Sequence, residues 1–265
     1  MSAVLEVTTP VFPSKTAELE RFGFKFPPGG SHISRTMMLH ELVLVMRAVP
    51  VDAPSTAYVD AILSRNILNK NTDSTRGKSL RHLRELYGLS PDLPIFRALR
   101  HFHHLDETAA PQLALLCSWT RDPLLRATTP PVISAPIGTT VSASALAEAV
   151  GEFFPSQYSA LNQAKIARNA RATWTSSGHL RGRTTKIRSL VSAKPAAVAY
   201  ALLLGSVSGL GGDALFSSSW CRLLDVTADQ AKTCASQAHR YGLLTMRAAG
   251  SVIEISFPAD LTSKR

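Results

Sequence analysis

The sequence predicts a mainly α fold, an N-terminal helical domain followed by one or two winged helix-turn-helix units with small β-hairpin wings. Three observations lead there. Apolar residues recur near a 3.6-residue period through most of the first 127 positions, as in helices that bury one face. Twice later, a helix, a short turn, a second helix, a Gly-containing turn and an apolar-alternating stretch follow in that order. Between the two regimes residues 128–140, TTPPVISAPIGTT, read as a connector because prolines and a glycine punctuate them.

Taken in order, residues 1–30 read as an extended lead-in, with a short strand at 3–8 and a turn at Pro27, Pro28, Gly29 and Gly30. From Ser34, the residues Met37, Met38, Leu42, Val45 and Val49 keep helical spacing until Pro50 and Pro54 end the segment. A second helix is expected over 55–67, with Tyr58, Ile62 and Leu63 inward. The polar run from Asn69 to Asp73 offers capping oxygens to a third helix, in which Leu80, Leu83 and Tyr87 form a stripe while Arg76, Lys78, Arg81 and Arg84 point elsewhere as a secondary basic face. Helices over 94–105 and 110–120 complete a domain at 31–127, and the connector closes at 141. The unit at 142–194 holds helices over 144–154 and 159–174, separated by Pro155, then SSGHLRGR and TTKIRSLV. The unit at 195–258 holds helices over 195–207, 214–224 and 227–241, the last capped by Thr227, and strands over 243–247 and 251–257 around Ala248, Ala249 and Gly250. Residues 259–265 read as a tail.

A chain of 265 residues, 45 % hydrophobic and 18 % charged, has the composition of a folded protein rather than a disordered one. Its three cysteines, Cys117, Cys221 and Cys234, form no CxxC pair, so neither a zinc knuckle nor a disulfide framework is expected, and a reducing cytoplasmic setting fits. The N-terminus lacks the basic start and unbroken apolar run of a secretory signal. Residues 195–212 carry no charge, but the second half is rich in Ser and Gly, so the stretch reads as a buried helix with a Gly-rich exit and no membrane partner is expected.

Charge is distributed unevenly. From Phe153 to Gly212 there is no Asp or Glu, while Lys165, Arg168, Arg171, Arg181, Arg183, Lys186, Arg188 and Lys194 contribute eight of the formal net +10. A partner with dense negative charge is the simplest reason to leave such a block unneutralised, and double-stranded DNA is the leading candidate. On the 159–174 helix, Leu161, Ala170 and Trp174 are expected to face a core, with Lys165, Arg168, Asn169 and Arg171 on or beside the opposite face. Arg and Asn suit base edges, Lys suits phosphate, and Arg181, Arg183, Lys186 and Arg188 on a wing suit sugar-phosphate or a minor groove. Few aromatics are interleaved, which favours duplex over single-strand binding.

Catalytic patterns are not legible: neither a Ser-His-Asp set nor paired carboxylates stand out, and the Gly205 to Gly212 run lacks the Lys-Ser/Thr of a phosphate loop. His101, His103, His104 and Asp106 form the one metal-like cluster, read as ordinary core or surface side chains. The expectation is a non-enzymatic protein with no metal and no cofactor.

The segment NILNKNTDSTRGKSLRHLRELYGL after an N-terminal helix pair, and the ending LFSSSWCRLLDVTADQAKTCASQAHRYGLL, resemble the BrxA family of the BREX phage-exclusion systems. The resemblance implies a small accessory protein of bacterial anti-phage defence, with a helical N-terminal part similar to the antitermination factor NusB, DNA-binding ability and other defence-system proteins as partners. The middle stretch with SSGHLRGR is longer than that family leads one to expect. The alternative reading is a protein-interaction scaffold whose basic face meets an acidic partner protein or RNA.

Overall fold

A computed structural model describes residues 16–26, 28–249 and 252–262, which are mainly helical with two small antiparallel hairpins. The strand expected at 3–8 and Pro27 of the expected turn lie outside the described residues. The helices begin earlier than the lead-in reading allows: α1 (Thr16–Phe22) buries Leu19 and Phe22, and Phe24 after it meets the edge of Trp220. A 3-10 turn at Ser31–Ile33 precedes α2 (Leu39–Ala48) and α3 (Ser55–Leu63). Both are shorter than their apolar spacing suggests, for local reasons. Before α2, Met38 is left-handed at φ 51 and the Met37 N–H is drawn inward to the Thr173 hydroxyl. After α3, the Asn66 amide both donates to the Lys70 carbonyl and accepts its N–H, closing a turn where the helix was expected to continue.

Helix α4 (Asp73–Tyr87) starts where the polar link predicts, with the Thr72 hydroxyl accepting the Thr75 N–H. Gly88 ends it at φ 91, where a side chain would be strained and would also collide with Leu93. Then come α5 (Pro94–Leu105), a 3-10 turn at Glu107–Ala109, α6 (Ala110–Arg121), α7 (Pro123–Ala127) and α8 (Pro130–Ile133). Thr128 and Thr129 are fully buried, each accepting a Trp indole N–H, from Trp174 and Trp119 respectively. So the first part of the expected connector belongs to the core, and residues 136–140 form the exposed stretch.

The middle segment folds as α9 (Ala143–Phe153), α10 (Ala160–Ser176), β1 (Leu180–Arg181) and β2 (Ile187–Arg188). Ser142 and Ser159 cap the two helices. β1 and β2 pair antiparallel, Leu180 opposite Arg188, and the backbone before α9 adds to the other edge of β2, with Arg188 N–H donating to Thr139 O and Val141 N–H to Lys186 O. The C-terminal segment holds α11 (Pro195–Val207), α12 (Asp213–Phe216), α13 (Ser219–Arg222), α14 (Ala228–Arg240), the hairpin β3 (Thr245–Ala249) with β4 (Val252–Ser256), and α15 (Ala259–Thr262). The single helix expected over 214–224 is two short turns, because the Ser218 hydroxyl caps a fresh start at Cys221 N–H. Of the expected tail, residues 259–262 are described and packed: Leu261 is buried and the Asp260 carbonyl accepts from Arg97.

The helices α6 and α11 are buried nearly all round. In α6 every residue except Pro111 is buried, and in α11 the run from Ala196 to Gly205 is. Such helices are core helices, and no described helix is long and apolar enough to cross a membrane. α6 and α11 pack on each other and on α5, so one continuous apolar cluster runs from Leu19 to Leu261 through the boundaries expected at 128–141 and at 195. A smaller cluster of Leu124, Ala127, Val150, Phe154 and Ile166 fastens α9 and α10 to α7.

A polar knot completes that attachment. His32 Nδ1 donates to Asp122 Oδ2 at 2.8 Å, and its Nε2 meets the Thr173 hydroxyl at 2.8 Å. Burial by itself pushes the Asp122 carboxyl up, but the His32 ring and the N–H groups of His32 and Leu125 outweigh it and hold the group below its ordinary value. Breaking a buried pair from one side leaves the other side unpaired, which is strongly destabilising. Asp122→Ala is expected to lower stability by about 3–5 kcal/mol, and His32→Phe together with Asp122→Ala by clearly less than the two single losses added. Urea unfolding of the three variants measures this, and additive losses would show that the two side chains act independently.

Candidate nucleic-acid interface

The local sequence of α10 decides how it lies. Ile166, Ala167, Ala170, Thr173 and Trp174 are its buried residues, spaced three and four apart, and they turn the opposite side outward. Lys165 and Arg168 are exposed on that outer side. Arg171 beside them is partly buried, with Nη2 donating to the Thr184 carbonyl at 3.2 Å, which ties the helix to the loop between β1 and β2. Arg181 at the end of β1 and Arg183 in that loop are exposed, and Lys186 is half-buried with Nζ donating to the Gly182 carbonyl at 2.6 Å. Gly182 is required for the turn: its φ is 98, and a Cβ there would stand 2.2 Å from the Thr185 carbonyl oxygen.

Lys165, Arg168 and Arg171 thus stand on α10, and Arg181, Arg183 and Lys186 on the hairpin that Arg171 ties to it, and among the described residues none of them makes a carboxylate ion pair. Glu148 and Glu152 on α9 are exposed but engage none of these cations. Lys194 lies apart from this group, as the N-cap residue of α11.

Three sequence assignments change. Arg188 is not on the wing surface: it is 2 % exposed and forms a two-pronged ion pair with Asp225, whose Oδ2 also accepts the Val191 N–H. A strand residue on the inner side of so short a hairpin must point at whatever packs beneath it, here the turn before α14. Asn169 is half-buried and committed to the protein, its amide donating to the His32 carbonyl at 2.8 Å. Leu161, expected in the core, is 79 % exposed. It lies on the outer side of α10 with Lys165 and Arg168, opposite the buried stripe.

The secondary face on α4 is partly committed as well. Arg76 donates to the Leu63 carbonyl and pairs with Asp73, whereas Lys78, Arg81 and Arg84 are exposed. Arg81 and Arg84 border a depression of about 380 Å³ with Lys25, Gly77, Leu80 and Glu85. The histidine cluster does not converge. His103 is buried, His101 half-buried and His104 exposed, burial holds His101 and His103 below the ordinary histidine value, and Asp106 caps the next turn through Thr108. Among the described residues no group of His, Cys, Asp and Glu is placed to hold a metal ion.

One constellation was invisible in the sequence. Thr173, His32 and Asp122 have the order of a hydroxyl, imidazole and carboxylate triad, yet His32 and Thr173 have 0 % exposure and Asp122 has 1 %. The hydroxyl also accepts the Met37 N–H, so it is occupied and sealed, and the arrangement serves attachment of α10 rather than attack on a substrate. With sequence separations of 90 and 141 residues, no spacing rule could have found it.

Beneath the basic face, His179 is fully buried between α10 and the 223–225 turn. Its Nε2–H donates to the Leu223 carbonyl, Nδ1 meets the Ser177 hydroxyl, and the ring stands edge-on to Trp174 at 5.1 Å. Burial pushes its pKa down to about 4 from the usual 6.5. The unfolded chain then binds a proton near pH 6.5 that the folded chain refuses until about pH 4. Stability from this residue is complete above pH 6.5 and declines as pH falls toward 4, by about 3 kcal/mol in all. His179→Gln is expected to flatten the dependence of the urea midpoint on pH within that window, and an unchanged slope would place the titrating group elsewhere.

No family model matches the chain, and a search of curated proteins finds no match either.

Proposed function

We propose that the chain is a non-enzymatic duplex DNA-binding protein, and that it serves as an accessory component of a BREX-like bacterial anti-phage defence system. The observation that carries the DNA reading is that Lys165, Arg168 and Arg171 on α10, and Arg181, Arg183 and Lys186 on the hairpin tied to it, lack ion-paired carboxylates among the described residues. We read the middle segment as a winged helix-turn-helix. Residues 139–141, α9, α10, β1, the 182–186 loop and β2 succeed one another as first strand, second helix, recognition helix and wing, and the first strand pairs with the far edge of β2. In this reading the outer side of α10 enters the major groove, and Arg181 and Arg183 follow the sugar-phosphate backbone or an adjacent minor groove.

Duplex is favoured over single strands because Trp174, the aromatic nearest the cations in sequence, is wholly buried and unable to stack on a base. The C-terminal hairpin unit is a poorer candidate. Asp229 is exposed on α14, and Lys232 there is paired with Asp213 and lies over the Phe216 ring. The defence role rests on the resemblance of residues 66–89 and 215–244 to the BrxA family.

Electrophoretic binding with a salt titration tests the DNA reading, since phosphate contacts release counterions. Each of Lys165→Ala and Arg183→Ala is expected to flatten the slope of log affinity against log salt by about 0.9. Arg168→Glu with Arg171→Glu should remove most binding, while Arg76→Glu, already engaged with Leu63 and Asp73, should do less. Equal binding by the double variant and the parent at the same salt would refute the interface. A steep salt dependence toward RNA or an acidic protein, without affinity for duplex DNA, would favour the scaffold reading instead. In cells, the double variant should lose phage restriction at unchanged expression.

A further inference from the structure

We infer that Leu161 reads thymine: its side chain contacts the C5-methyl group of a thymine in the major groove when α10 is seated on duplex DNA. This rests on the duplex-DNA reading above. The exposed residues of α10 include Leu161, Ala164, Lys165 and Arg168, at offsets of zero, three, four and seven, so they form one stripe along the outer side. Leu161 is 79 % exposed in the first turn, just after the Ser159 cap, and Ala164 one turn on is exposed as well.

A lone surface leucine is ordinary in any folded protein. This one is distinguished by its setting, since it opens a stripe whose remaining long side chains are cations without carboxylate partners among the described residues. A basic stripe excludes a purely apolar partner and calls for a polyanion. Within a polyanion that is a DNA duplex, the apolar group displayed in the major groove is the thymine methyl. The short Ala164 side chain lets the helix approach base edges closely, and the N-terminal part of a recognition helix is the part that reaches them. Asn169, by contrast, is committed to the His32 carbonyl, so Leu161 and Arg168 are the side chains of this stripe left to read sequence.

The test starts from duplexes selected by the full-length protein out of a random library, then replaces thymine by uracil one position at a time, which removes only the methyl group. The parent protein is expected to lose about fourfold in affinity at one or two positions, the equivalent of one buried methyl group. Leu161→Ala should bind thymine and uracil duplexes equally at those positions, with its circular dichroism and salt slope unchanged, because no phosphate contact is lost. Uracil tolerated everywhere by the parent, or the same discrimination retained by Leu161→Ala, would overturn the inference while leaving DNA binding intact. So would a selected pool with no preferred sequence, or a free protein whose sedimentation shifts from dimer to monomer on Leu161→Ala, which would assign the residue to self-association. Absence of salt-dependent duplex binding in the parent would overturn the DNA reading itself, and this inference with it.

Discussion

A single buried carboxylate holds three distant parts of the chain together. Asp122 caps α7 through the N–H groups of Leu124 and Leu125, accepts both the backbone N–H and the ring Nδ1–H of His32, and through that ring fixes Thr173 in α10. Every oxygen is used, which is the condition under which a buried charge can be tolerated. The consequence reaches the surface. With Thr173 fixed and Trp174 bonded to Thr128, α10 cannot rotate about its axis, and the side that carries Lys165 and Arg168 is held outward.

The protein treats its arginines in two ways. Arg100, Arg121 and Arg126 are buried and turn their guanidinium groups onto backbone carbonyls near helix ends: Met46 and Val49 at the end of α2, Arg84 and Glu85 at the end of α4, Trp119 and Thr120 at the end of α6. Carbonyls at a helix C-terminus carry partial negative charge, so the cations add to their hydrogen bonding and complement the helix dipole. Burial is costly even so, and it pushes the Arg126 guanidinium down to about 10. Arg97 is buried as well, bonded to the Asp260 and Pro91 carbonyls, and Arg188 is neutralised by Asp225. Cations that serve inside the fold are thus unavailable to a ligand, and the outer side of α10 with the 181–186 loop stands out more sharply as the basic surface than the formal charge of the chain suggests.

Much of the fold was legible for local reasons. Ser142, Ser159 and Thr227 cap helices where their hydroxyls are three residues ahead of a free N–H, and Thr227 with Gln230 forms a reciprocal capping box. Pro195 opens α11, and the uncharged run after it is a core helix. The short turns were less legible. Thr128 and Thr129 look like loop residues in sequence, yet they are interior hydrogen-bond acceptors for Trp174 and Trp119, because those two indoles need partners once buried. Leu19 and Phe22 sit in a segment whose prolines and glycines suggest an extended chain, and their burial depends on the cluster they reach.

By itself the sequence determined the helical class, most helix starts, the absence of charge along the interior helix α11, and the concentration of positive charge between Phe153 and Gly212. All of these depend on residues within a few positions of one another, or on composition. Tertiary structure decided which of those charges face outward. Arg188 and Arg183 are five positions apart in the same basic run, but one meets Asp225 inside the protein and the other meets solvent. Leu161 and Ala170 share an α-helix and an apolar character, but one is covered by a neighbour and the other is not. Burial is a property of what packs against a residue, and the partners that pack here come from residues as far away as His32 and Asp225.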